Sequence, residues 1–442
     1  MSVPTTERTH PRGERSIADE RSRNVWQQVL TSGELGASAA QTAVVAVFPL
    51  LLRRYAATNF WIGFAVGGEG VFALLLPFWV GVLSDRMPSA LAVRYGRRML
   101  PLLVAAPIMA LSVAAAPFAP TYWLMTGALF VFFAALHGYL TPLWTLMLDS
   151  VPDERRARVQ GTRGVLRALG LAYGLVAAGL LYSIVPTTPF LVAAALIVIT
   201  TALTWLAERK LGGDREPRER ELSGVHDTWK QLRRNRGAVW LLVANALWNG
   251  AIDGIRPYVF LYASVVLGLT VAQTSLGLGT LIVGIGIGSV ISGRIGDRLP
   301  RGRLLQIGTG VLVVAFAIAM FIGTLVHNVL WAALALGAGG LGAAAILTIG
   351  YPYFAELVGE ARQGEYTGLW VFSVGFGRIV APMLVGLAID FGGRLMPRVK
   401  GYPMMWAAAS LMGLGGWIAL GRAIRSAARQ GHDDRPADER AA

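Results

Sequence analysis

The chain has 442 residues, 54% of them hydrophobic and only 15% charged, against the ~25% charge of an ordinary soluble domain. It carries no Cys, which excludes disulfides and thiolate metal sites. The net charge of +14 would suit nucleic acid, but the basic residues lie between apolar runs rather than on one basic module, which excludes that partner.

In chain order the apolar runs predict twelve membrane-crossing helices. They cover 25–52, 60–84, 99–118, 121–149, 163–185, 188–206, 237–265, 272–296, 303–326, 329–352, 367–390 and 402–422. Each is long enough to cross ~30 Å of hydrocarbon as a helix, and none has the strict alternation of barrel strands. The fold class is therefore all-α and polytopic, in two six-helix units. The divisions are a tail at 1–24, a bundle at 25–206, a linker at 207–236, a bundle at 237–424 and a tail at 425–442. The first 24 residues are polar and Arg-rich, unlike a cleavable signal. Of the 40 Lys and Arg, 32 fall in the tails, the linker and every second loop, while the alternate loops hold Arg53, Arg54, Arg394, Arg398 and Lys400. This bias predicts both termini on the cytoplasmic side of a plasma (inner) membrane.

The two units repeat. Gly81-Val-Leu-Ser-Asp85-Arg86 with Gly96-Arg97-Arg98 follows the second run, and Gly293-Arg-Ile-Gly-Asp297-Arg298 with Gly302-Arg303 follows the eighth. Asp149 and Glu356 open a second matched pair, 207 positions apart, and the same offset carries Gly161, Gly170 and Gly179 onto Gly368, Gly377 and Gly386. A duplicated unit predicts a solute cavity between the halves. The charged loops, with Asp85, Arg86, Arg97, Arg98, Asp149, Asp297, Arg298 and Glu356, are candidates for a cytoplasmic latch. A carboxylate there can face a helix N-terminus and nearby Arg side chains; the same charges also suit plain solvated loops.

Ionisable residues inside the runs cost about 2.5–3.5 kcal/mol each on insertion scales, so each is a functional candidate. The acids are Glu34, Glu69 and Asp253; the bases are Arg167, Arg256 and Arg378. Asn245, Asn249, Asp253 and Arg256 stand at steps of 4, 4 and 3 on one helix face, a polar stripe about 16 Å long with Trp248 beside it. Such a stripe either lines a cavity or glues two helices. Asp253 is the first candidate for proton binding, with Glu34 and Glu69 as alternates. Arg167 and Arg378 are candidates to pair with an acid or to grip a substrate oxygen. His137, Thr141 and Trp144 share one face, as do Trp370 and Ser373; these are further cavity candidates.

The loop motifs Gly81-x-x-x-Asp85-Arg86 … Gly96-Arg97-Arg98 and Gly293-x-x-x-Asp297-Arg298 … Gly302-Arg303 resemble those of the major facilitator superfamily, over 25–424. Ser84-Asp85-Arg86 … Arg94-Tyr-Gly96 and Pro142-Leu-Trp-Thr-Leu-Met-Leu-Asp149 resemble its sucrose/proton symporter and glycoside–pentoside–hexuronide branch. The resemblance implies a secondary transporter, not an enzyme, that moves a small solute by alternating access, with a sugar or glycoside coupled to protons as the leading class. It implies a monomer in the lipid bilayer with protons and a small molecule as partners. An exporter of drugs or other amphipathic compounds is the alternative, although Gly170-Leu-Ala-Tyr-Gly174 lacks the Gly-Pro motif of proton-driven drug exporters. No cofactor or metal is expected: there is no phosphate-cradling Gly-x-x-x-x-Gly-Lys and no His-Glu-x-x-His. Gly284-Ile-Gly286-Ile-Gly288 lies within an apolar run with no strand before it, so helix packing explains it.

Overall fold

In a computed structural model the described residues are 22–56, 58–85, 98–211, 235–296, 298–322, 329–358 and 363–433. They form helices and turns without strands. Twelve helices are long and apolar enough to cross a membrane. We label them α1 (Ser22–Leu52), α2 (Asn59–Pro77), α3 (Met99–Phe118), α4 (Tyr122–Met147), α5 (Arg158–Ile184), α6 (Thr188–Leu211), α7 (Arg236–Val266), α8 (Val271–Gly296), α9 (Arg301–Phe321), α10 (Val329–Val358), α11 (Gly368–Leu395) and α12 (Met404–Arg429). The helical turns run beyond these apolar cores in places. That of α2 continues to Asp85, and that of α5 begins at Asp153, ten residues before the predicted start.

The helices form because hydrocarbon offers the backbone no partner, so each span closes its own hydrogen bonds. Large apolar side chains such as Leu111, Ile184, Leu203 and Leu411 stand exposed on the outside, an outward apolar surface that lipid covers and water would not tolerate. The two bundles are α1–α6 and α7–α12. Their main contacts are α2 along α11 and α5 against α8. With an even number of spans, residues 22 and 433 lie on one face, called here the termini face.

Glycines set how closely the halves approach. Gly63, Gly67 and Gly70 form a stripe on α2 against α11. A Cβ on Gly67 would sit 2.7 Å from the Ile379 carbonyl oxygen, and one on Gly70 would sit 2.8 Å from the Ile379 nitrogen. In α8, Gly284 and Gly288 face α10 while Gly286 meets nothing within 4 Å, so that glycine run makes a helix seam.

Several spans are interrupted beside charge. Pro257 opens a short 3₁₀ turn over Arg256–Tyr258 in α7; without an N–H it cannot satisfy the Asp253 carbonyl. A π-turn interrupts α5 over Tyr173–Ala177. Pro382 stands within α11, four residues after Arg378.

Candidate functional site

The site is a charged chain that crosses between the halves. On α11, Arg378 extends its guanidinium two ways. Its Nε donates to Asp253 Oδ2 of α7 at 3.0 Å, and its Nη1 donates to Glu69 Oε1 of α2 at 2.9 Å. Asp253 Oδ1 also accepts from Arg256 Nη1 at 2.8 Å. Glu69 Oε1 accepts a second, short bond from Gln41 Nε2 of α1, and His137 Nε2 of α4 stands 3.9 Å away. That nitrogen has no hydrogen-bond partner among the described residues. The carboxylates are deep, with Glu69 1% and Asp253 8% exposed. Buried charges of this kind persist only when paired and hydrogen-bonded, and Arg378 supplies that for both acids.

A second cluster lies in the N-terminal half. Glu34 of α1, 3% exposed, accepts at Oε2 from Trp144 Nε1 at 2.9 Å and from Arg163 Nε at 3.0 Å. The Arg163 guanidinium also lies over the Trp144 ring, 4.6 Å from its centroid, a cation–π contact. Arg163 was not among the sequence candidates. Its place at the expected start of the fifth span made it look like a loop charge, whereas the helix begins a full ten residues earlier.

Arg167, one turn further along α5, does not join either acid. Its backbone carbonyl accepts from Ser38 Oγ at 3.0 Å, but its guanidinium makes no hydrogen bond or ion pair to the described residues.

The polar stripe of α7 divides. Asn245 Nδ2 donates to Ser373 Oγ at 2.7 Å and to the Trp370 carbonyl at 3.3 Å, while its Oδ1 accepts from Trp248 Nε1 and Asn249 Nδ2 at 2.9 and 2.8 Å. Asn245 is 1% and Trp248 0% exposed. Asn245 therefore glues α7 to α11, and Trp248 is buried beside it; the amide needs all its partners once desolvated, and α11 supplies those of its nitrogen while α7 itself supplies those of its oxygen. Asp253 and Arg256, further along the stripe, carry the charge. Trp370 packs on Phe354 and Tyr351, with ring centroids 5.2 and 6.0 Å apart.

On the face away from the termini the halves are tied by a cap that the sequence did not suggest. The Asp390 carboxylate of α11 accepts from the backbone nitrogens of Asn59 and Phe60, each at 2.9 Å, and from Asn59 Nδ2 at 2.7 Å. It thereby satisfies the orphan N–H groups of the α2 N-terminus from the opposite half. Tyr258 Oη donates to the Asn59 and Pro382 carbonyls at 2.9 and 2.8 Å, and Tyr402 Oη to Asn59 Oδ1 at 3.1 Å.

Of the latch candidates, Arg86, Arg97 and Asp297 lie outside the described residues, as does the side chain of Asp85. Arg98 pairs with Asp149 at 3.2 Å and Arg301 with Glu356 at 3.4 Å. Arg298 is exposed, its backbone nitrogen bonded to the Ile295 carbonyl. Both ion pairs stay within one half, and the second is half exposed, where such pairs contribute little.

The model of the Major Facilitator Superfamily matches residues 30–339 and 283–440. A curated relative, the proton-coupled antiporter flippase LtaA of Staphylococcus aureus (strain USA300), is 26% identical over 273 residues, 60% of this chain. The match spans 66% of that relative's length, just short of two thirds. Among solved structures, the nucleoside transporter NupG superposes with a TM-score of 0.73 at 13% identity, covering 91% of this chain and 99% of that one. A bacterial homolog of the human lysosomal transporter Spinster, in an inward-facing and occupied conformation, gives 0.73 at 15% identity, covering 97% and 99%. At such identities these likenesses describe the fold.

Proposed function

Because the chain belongs to the Major Facilitator Superfamily, we propose that this membrane transporter is a proton-coupled antiporter of an amphipathic organic solute, working by alternating access. The observation that carries the reading is Arg378, which holds Asp253 of its own half and Glu69 of the other at 3.0 and 2.9 Å. A proton on either carboxylate weakens its hold on Arg378, and weakening the Glu69 bond loosens the halves at mid-depth. Proton binding and the rocking of the bundles thus act on the same bond. The Asp390 cap, away from the termini, ties the halves together on that face, and the positive-inside bias supports reading it as the outer face of a plasma membrane.

The exchange of protons for an amphipathic cargo is favoured over sugar symport by two observations. Two aromatic rings among the cavity candidates, on which a sugar could stack, already carry a neighbour, Trp144 the Arg163 guanidinium and Trp370 the Phe354 ring. The curated relative, a proton-coupled antiporter flippase by name, points the same way. The test is a set of solute-evoked currents in proteoliposomes on a solid support at several pH values. Hexyl phosphate, hexyl glucoside and hexyltrimethylammonium form one arm; glucose and sucrose form the other. pH-dependent currents from an amphiphile alone support the reading. Currents from a sugar alone return the protein to sugar symport.

A further inference from the structure

The acids and arginines that border the space between the halves do not balance. Among the described residues three acids, Glu34, Glu69 and Asp253, face four arginines. Arg163 is bound to Glu34, Arg256 to Asp253, and Arg378 to both Asp253 and Glu69. Arg167 is left over. Its guanidinium has no hydrogen bond or ion pair to the described residues, and it is exposed.

That exposure is not to lipid. Gly170 and Gly174 of α5 pack on Ser38 and Thr42 of α1, and Arg163 reaches Glu34 on the same helix. Arg167, four residues after Arg163, lies on that inward face, while Tyr173 turns to α6 by its bond to the Pro189 carbonyl at 2.6 Å. Protein surrounds Arg167 on most sides, and Glu34 and Arg163 from its own half and Arg256 and Arg378 from the other are all within electrostatic range. The open space it borders is therefore interior, with cations on both banks. Arg256 has one bond to Asp253 out of five N–H donors, so it too has donors to spare.

An arginine at membrane depth stays charged and is costly unless something neutralises it. We infer that the cargo supplies the missing charge: the solute carries an oxyanion, of the phosphate or carboxylate kind, held between Arg167 of α5 and Arg256 of α7. This rests on the transporter reading above and names its substrate class. Arg is suited to the task, since its planar fork matches two oxygens of such a group. The anion also explains how the halves are drawn together around cargo, because each bank contributes one cation to it.

The test is equilibrium binding to the full chain in nanodiscs, read by intrinsic Trp fluorescence. Hexyl phosphate represents an oxyanion on an apolar chain, glycerol 3-phosphate the same group without one, and hexyl glucoside the neutral amphiphile. Wild type should bind a phosphate ligand and prefer hexyl phosphate to hexyl glucoside. Arg167→Gln should weaken the phosphate ligand by about tenfold or more, the loss of a charge-assisted hydrogen bond, and leave hexyl glucoside unchanged. Arg167→Lys should recover part of it. Tighter binding of hexyl phosphate than glycerol 3-phosphate assigns the anion to a lipid-like solute; the reverse assigns it to a soluble one. The inference is overturned if wild type binds no phosphate ligand, prefers hexyl glucoside, or loses nothing in Arg167→Gln. The wild-type comparison stands even if a variant does not fold. Proton-coupled movement of hexyl glucoside with no role for Arg167 would end this inference and leave the transporter reading in place.

Discussion

Arg378 on α11 crosses the boundary between the bundles to reach Glu69 on α2 at 2.9 Å, and it does so while bound to Asp253 of its own half at 3.0 Å. One guanidinium is thus shared by two deep carboxylates from opposite halves. Its removal leaves Glu69 with Gln41 and a distant His137, and Asp253 with Arg256 alone. Arg378→Gln should lower stability by about 3–5 kcal/mol, the penalty for stranding a buried charge. Adding Glu69→Gln should recover part of that loss, because it removes one of the stranded acids. Thermal unfolding of purified protein in detergent, followed by Trp fluorescence, checks both.

The cap at Asn59 gives a second expectation. Asp390 satisfies the α2 N-terminus from the other half, so Asp390→Ala should cost about 0.5–2 kcal/mol, the range of a lost helix cap. That cost falls only on the state closed at this face. The natural chain has no Cys, so spin labels can be placed at Tyr55→Cys and Arg398→Cys, both exposed, one in the α1–α2 loop and one in the α11–α12 loop. The distance distribution between them should gain a longer component in Asp390→Ala. An unchanged distribution would mean that the cap does not hold the face shut.

Gly67 tests the close approach of α2 and α11. A side chain there meets the Ile379 carbonyl with its Cβ at 2.7 Å, so Gly67→Leu should destabilise by about 1–3 kcal/mol through overpacking and should lower transport as well. Gly286→Leu in α8 is the control, since a Cβ there meets nothing within 4 Å. A Tm drop in the first variant and not the second is the expected result.

Glu34, Trp144 and Arg163 form the fourth test. Trp144→Phe keeps an aromatic face for Arg163 but removes the indole bond of 2.9 Å to Glu34. The expected loss is about 0.5–1.5 kcal/mol. Glu34→Gln should cost more, because it leaves Arg163 as well as Arg167 without an acid. Urea or thermal melts of the two variants give the order directly.

What the sequence made legible was the part that physics writes into composition. Twelve apolar runs, a repeated loop motif and a handful of charges against an apolar background can all be seen without coordinates, since hydrocarbon makes each Glu or Arg conspicuous. Asp253, Glu69, Arg256 and Arg378 stood out for that reason, and they meet. Partner choice was not visible. Nothing in the spacing of Arg378 says that it serves both Asp253 and Glu69, which are 125 and 309 positions away. Asn245 reads from the sequence first as a cavity residue and then as a seam, and only the position of Ser373 and the Trp370 carbonyl decides for the seam. Asn59 and Asp390 sit at span ends, where a polar residue looks merely solvated. The one hint was an acid at the end of the eleventh span, just before Arg394, Arg398 and Lys400.

The most direct measurement of the central claim is proton movement in proteoliposomes loaded with a pH-sensitive dye, with hexyl phosphate, hexyl glucoside or hexyltrimethylammonium added on one side. An amphiphile bound by the protein should evoke a proton flux opposite in direction to its own movement. Asp253→Asn should abolish this flux while solute binding survives. Solute movement without protons, or a proton flux undiminished in Asp253→Asn, would contradict the coupling assigned to Asp253, Arg378 and Glu69.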